Sequence, residues 1–366
     1  MNTQRFDSIV ELGKSKGKAL GSWGEHFLRQ ALDSSAFFNK DDDQAYLHSR
    51  ALEQVWAREL EAPKPELPLA TGTDLLPLSP NVDDGATSYR YFLTDDQGDA
   101  EWGSGMTGHD MPMTSLSGAE MTGPLRLIQG GYQYSREDLR NASFAGKRLV
   151  PRNQAASLRA HLERQDEALA WGRESIGLLG LFNHPNITVI TAASNGGGPP
   201  STFFRDKDVD QIAADFSALI NAVPQVTNEI RHVTMVLMSP RCLRYLKQTR
   251  IGGDNGSLTI MEHLLRVFST KTNDDVDAPD FPVQFRAVRY LDATNARSQG
   301  ELTSDSLFAY IHNDADIAAK VEAFKGRAYP PQESGTMIQV PAETKVGSVE
   351  IPEPLTLVRM DGVFNG

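Results

Sequence analysis

His161-Leu-Glu163 has the His-x-Glu spacing with which zinc deaminases place a metal ligand beside a general acid. That chemistry also needs a Pro-Cys-x-x-Cys segment to complete the metal cage. The only cysteine, Cys242, stands in "SPRCLRY" with no second thiol. His161 and Glu163 are therefore expected on the solvated face of a helix, and Cys242 as a buried, inert thiol. "SNGGGPPSTFF" (194–204) is rich in glycine, but no Lys-Ser/Thr follows it and prolines interrupt any helix start, so it fails as a phosphate loop. "NDDVDAPD" (273–280) has carboxylates without the glycine and final glutamate of a calcium loop. The eight histidines are scattered, and no Gly-x-Ser-x-Gly elbow occurs. No catalytic residue, metal or cofactor is expected. An α/β enzyme using loop 194–201 as a ligand cradle is kept as the contrasting reading.

The elements around these residues say more. The chain has 366 residues, 40% hydrophobic and 23% charged, enough for two domains. No run of eighteen apolar residues predicts a membrane span, and "MNTQRFDSIVELGKSKGKAL" lacks the apolar stretch of a secretory leader. A cytoplasmic origin is expected, and the sequons at Asn141, Asn186 and Asn255 then carry no meaning. The formal charge of −12 argues against a surface that grips nucleic acid by releasing counterions. It suits a wall that phosphate slides along, or simply a soluble surface.

Residues 1–62 read as a charged helical arm. Residues 63–85 carry five prolines and no periodicity, and are expected as an extended strap lying along a neighbour. "SYRYFL" (88–93) and Pro124–Tyr134 read as strands of a long hairpin arm, paired at its base and open at its tip. Pro151 and Asn153 suit entry into a helix of about 25 residues, roughly 37 Å long. Leu158, Leu162, Leu169 and Ile176 form its one narrow apolar seam, with charge on the other faces. From about 180 to 310, strands (187–194, 232–239, 282–291, 306–313) alternate with helices (208–223, 257–270). Ser239 and Pro240 open a further helix as cap and first residue. The last thirty residues read as short strands broken by prolines.

This order of elements resembles the major capsid proteins of tailed bacteriophages, the Hong Kong 97-type fold shared with encapsulin shells. "YSREDLRNASFAGKRL" looks like the turn entering their spine helix, and "GLLGLFNHPNIT" like its hand-over to the axial domain. "YPPQESGTMIQVPAETKVGSVEIPEPLTLVRMDGV" is similar to the ending of one capsid subfamily. The resemblance covers about 65–366. It implies an α+β fold: an N-terminal arm (1–62), a strap (63–85) and an extended hairpin loop (86–134). A peripheral domain with the spine helix (135–180 and 314–366) and an α/β axial domain (181–313) complete it.

The implied function is a non-enzymatic shell subunit. It would form pentamers and hexamers of an icosahedral head around double-stranded DNA, in a virion assembled in the host cytoplasm. A decoration or cement protein, a separate scaffolding protein and a portal are the implied partners, with no membrane; an encapsulin-like compartment is the alternative. Some members weld the shell through a lysine on the hairpin. No lysine occurs here between Lys64 and Lys147, so non-covalent contacts are expected. The candidate contacts are an acidic, aromatic hairpin tip (Asp95, Asp96, Asp99, Glu101, Trp102) and a basic receiver (Lys147, Arg148, Arg152). Arg159, Arg164 and Arg173 along the helix, expected to be met by other copies, complete the set.

Overall fold

The computed structural model describes residues 63–79, 82–98, 115–146, 149–196, 200–251, 258–268, 282–295 and 302–365. From Leu67 onward the chain forms one compact unit. It holds two five-stranded sheets.

The first sheet joins β1 (Ser88–Gln97), β2 (Ser115–Ser135), β7 (Ala319–Ala328), β8 (Gln332–Ser334) and β9 (Met337–Glu350), in the order β1-β2-β9-β7 with β8 beside β9. β2 starts nine residues before the expected Pro124. Its first part pairs only with β1, from Ser88↔Pro124 out to Gln97↔Ser115, and from Leu125 onward it pairs with β9. The ten-residue β1 thus stands on a two-stranded arm roughly 33 Å long. Tyr89 fixes the arm's base: its ring occupies the space a side chain at Gly123 would need, and its hydroxyl donates to Ser348 O at 3.3 Å. β9 runs unbroken through Pro341, where short broken strands were expected. Pairing on one side passes there from β8 to β7, so the missing N–H disrupts little.

The second sheet has the order β3 (Thr188–Thr191), β10 (Val358–Asn365), β6 (Ser304–Tyr310), β4 (Met235–Met238), β5 (Gln284–Ala287). The ending expected to belong whole to the spine-helix domain therefore divides. Residues 319–350 join the first sheet, and β10 runs parallel to β3 in the second. β4 is buried on both faces, which explains its continuous apolar run. Val236 and Met238 face a core with α3 (Val209–Val226), α4 (Pro240–Gln248) and α5 (Ile260–Phe268). Met235 and Leu237 face a second core. Asp208 caps α3 in a capping box with Gln211, and Ser239 caps α4 by accepting from Cys242 N–H at 3.0 Å, as its sequence announces. Burial pushes the Cys242 thiol up, in keeping with an inert group.

Two helices follow the arm. "REDLRNASF" is a helix, α1 (Arg136–Phe144), rather than a turn; Ser135 and Asp138 close a capping box at its start. The long helix α2 runs over Leu149–Trp171 and stops because Gly172 takes φ +66°. The chain then doubles back, and Leu181 and Phe182 N–H groups donate to the free carbonyls of Leu169 and Ala170 at 2.8 and 3.0 Å. A Cβ on Gly180 would lie 2.3 Å from Gly172 N, so two backbones cross with no room for a side chain. That crossing accounts for the glycine-spaced tail after the helix.

Candidate inter-subunit surfaces and the seam of the long helix

The strap is not free to lie on a neighbour between Leu67 and Ser79. Leu67, Leu69, Ala70, Leu75 and Leu76 are buried, and Leu69, Leu75 and Leu76 share a core with α2, β4 and β6. Each leucine so buried contributes about 1.5–3 kcal/mol, which outweighs the strap's gain from being extended. Its polar backbone is gripped from both sides. Asp166 Oδ1 accepts from Leu69 and Ala70 N–H at 2.8 and 2.9 Å. Lys320 Nζ, in a side chain 3% exposed, donates to the carbonyls of Leu69, Ala70 and Gly72, and Lys325 Nζ to that of Ala70. Burial pulls the Lys320 ammonium below its ordinary pKa, partly offset by Glu322.

Of the expected apolar seam of α2, only Leu169 is buried. Leu158 is 42% exposed, Leu162 half-buried, and Ile176 lies beyond the helix end. Ser157, His161, Gln165 and Leu169, one turn apart, face the first sheet. His161 was expected in solvent and is 3% exposed; Asp166, placed among the solvated charges, is wholly buried. Gln165 Nε2 donates to Glu322 Oε1, and His161 Nδ1 meets Thr344 Oγ1 at 3.2 Å. Much of the helix's low apolar content therefore has a partner inside its own chain, a polar one. Glu163 is half-buried and pairs with Arg159 at 3.1 Å.

The candidate contact residues that are described lie on separate elements. Asp95 and Asp96 lie in β1, opposite Ser117 and Leu116. Asp99, Glu101, Trp102, Lys147 and Arg148 fall outside the described residues. Arg152 is exposed on α2, and Arg164 meets Glu167 at 3.1 Å. Exposed Arg173 closes a backbone bridge with Leu178 after the helix. These cations are strung along some twenty residues, as an extended contact needs and a pocket does not. The surfaces that sequence reasoning missed are apolar. Phe92 and Leu116 on the arm are 74% and 73% exposed, and Phe144 at the end of α1 is 97% exposed. No residue of α1 is buried. The Ser-x-x-Asp box was the available signal for this helix.

Loop 194–201 does not form a cradle among its described residues. Asn195 and Ser201 bond to each other, and the Ser201 hydroxyl donates to Asp206 Oδ2 at 2.6 Å, a carboxylate where a phosphate site needs donors. Among the described residues, no group of three His, Cys, Asp or Glu side chains is placed to hold a metal, and no helix is long and apolar enough to cross a membrane.

An arm exposed on both faces, a long helix laid across its sheet and a second, helix-covered sheet together define a shell-forming fold of the Hong Kong 97 type. The sequence matches the major capsid protein family model over residues 98–363, and the chain belongs to that family. It is a capsid shell protein, with the structural, non-enzymatic role and the virion location that membership implies. Among solved structures, the capsid of Myoviridae phage XM1 is similar, with a TM-score of 0.67 and 15% identity, covering 87% of this chain and 100% of that one. The capsid of an empty GTA particle gives 0.54 at 9% identity, covering 88% and 99%. A structure from Mycobacterium phage Ogopogo gives 0.51 at 11%, covering 87% and 99%. At such identities these likenesses speak for the fold alone. Among curated proteins, none matches the sequence.

Proposed function

We propose that this chain assembles into pentamers and hexamers of an icosahedral tailed-phage head around double-stranded DNA, inside the host cytoplasm. The observation that carries the reading is the arm. A two-stranded hairpin is marginal alone in water, and this one holds Phe92 and Leu116 in solvent some distance from its own core. A neighbouring copy that covers the arm and the unburied α1 stabilises both. Asp95, Asp96, Asp99, Glu101 and Trp102 then face the basic stretch Lys147, Arg148 and Arg152 of the next copy. Arg159, Arg164 and Arg173 serve contacts along the long helix. Many weak, repeated contacts let misplaced subunits leave before the shell closes. A cement protein, separate scaffolding and a portal complete the particle, and the acidic chain meets DNA without base-specific contacts.

Electron microscopy of the purified protein, with size-exclusion chromatography, tests this reading. Closed shells or five- and six-membered rings are expected. A small soluble oligomer that never forms either at high concentration would overturn it.

A further inference from the structure

The middle of α2 meets its sheet through polar atoms that lack partners. Ser157, His161 and Gln165 are 9%, 3% and 0% exposed, and Ser157 Oγ, His161 Nε2 and Gln165 Oε1 have no hydrogen-bond partner among the described residues. His161 stands at the centre. Its Nδ1 meets Thr344 Oγ1, which also accepts from Gly326 N–H at 3.0 Å. Its Nε2 is directed at Gly130 of β2, where a Cβ would lie only 2.8 Å away. Glycine alone admits the ring, and the nitrogen meets a backbone carbon instead of an acceptor.

We propose that His161 is a proton-operated latch between α2 and the first sheet, closed while the imidazole is neutral and released when the ring takes a second proton. A neutral ring has one N–H, and on Nδ1 it donates to the Thr344 hydroxyl and leaves Nε2 without a proton. An imidazolium carries N–H on both nitrogens, and the one on Nε2 then faces Gly130, buried and unanswered. A buried donor without a partner is costly, and more so when charged.

The surrounding charged groups are engaged elsewhere. β2 presents Gly130 at this level, and its Arg126 is turned to Ile176 O at 2.9 Å. β9 presents Thr344 between Ala342 and Val346; its Glu343 and Lys345 point to the opposite face, meeting Tyr329 Oη and Asp84 O. On β7, Glu322 is taken by Gln165 and Lys325, and Arg327 by Asp84. On α2 itself, Arg159 pairs with Glu163 and Arg164 with Glu167. Burial accordingly holds the His161 pKa below the ordinary histidine value, with no opposing carboxylate.

The direction of the effect follows. The folded pKa lies below the unfolded one, so the latch's stability is full above about pH 6.5 and is lost as pH falls through the folded value. Within that window the opening constant rises by up to about tenfold per pH unit. Opening frees the outer part of the helix, because Asp166, Leu169, Ala170 and Trp171 keep its last turn in the core. The inference concerns this fold alone and does not rest on the arrangement of copies proposed above.

Hydrogen exchange on the full chain, corrected for intrinsic rates, tests it between pH 7.5 and 4.5. Segments 126–132 and 155–165 are expected to lose protection by up to about tenfold per pH unit in that window, while 209–226 holds. The loss should vanish in His161→Gln and persist in His184→Gln and His312→Gln, the other histidines that burial holds low. Should His161→Gln fail to fold, the wild-type ring is titrated directly by its carbon-2 proton resonance, whose midpoint must fall where the loss of protection levels off. Flat protection in the wild type, an unchanged response in His161→Gln, or a ring that titrates at another pH would each overturn the latch.

Discussion

Tyr290 donates its hydroxyl to Asp166 Oδ2 over 2.5 Å, joining the last turns of α2 to a turn beside the second sheet, 124 residues later in the chain. Arg289 Nη2 reaches the same oxygen at 3.4 Å, while the other carboxylate oxygen holds the strap. One aspartate thus ties together the long helix, the strap and the region between β5 and β6. It is buried, and every bond it accepts would be left open by its loss.

Asp166→Ala is expected to destabilise the unassembled chain by about 3–5 kcal/mol, because it strands two backbone N–H groups, a buried phenol and a partly buried cation. Chemical denaturation of wild type and variant measures the difference. A change under about 1 kcal/mol would show that the carboxylate is not the junction described.

Lys320→Met keeps the length of the side chain and removes the donors to three carbonyls of the strap turn. The expected cost is about 2–4 kcal/mol, with faster proteolysis between 67 and 79 than elsewhere. Uniform proteolysis along the chain would mean that the leucines alone hold the strap.

Reversing Asp95 and Asp96 to lysine on the arm should slow assembly several-fold at low ionic strength, since the proposed receiver is basic. High salt should narrow the difference from wild type. Light scattering during assembly follows both. Wild-type kinetics at low salt would remove that contact from the proposal.

The hairpin has no lysine, so particles boiled in detergent are expected to run as a single monomer band. Ladders of linked subunits would point to a nucleophile elsewhere in the chain.

The second sheet and its helices were largely legible in the sequence, because local chemistry determines them. Asp208 and Ser239 cap their helices through neighbours a few residues away, and β4 is apolar on both faces. The strap was not legible. Its anchors, Asp166 and Lys320, lie some 97 and 250 residues further on, and five prolines hide a buried leucine set behind the look of a linker. The long helix misled for a different reason. Apolar periodicity picked out Leu158 and Leu162, whereas the residues of the helix middle that are buried are Ser157, His161 and Gln165, with Gly130 making room for the His161 ring and Gly326 for Leu158. Gly130 opposite that face was the one trace of it.

The backbone crossing at Gly172 and Gly180 makes the long helix a cantilever. Its inner end is welded where no side chain fits between two strands of peptide, and its span of roughly 34 Å rests farther out on a slippery bearing of glycine and unpaired polar groups. A load applied near Arg152 therefore cannot be absorbed by swivelling at the root. It must lift or slide the free end, so a small displacement at the proposed contact would strain the sheet beneath.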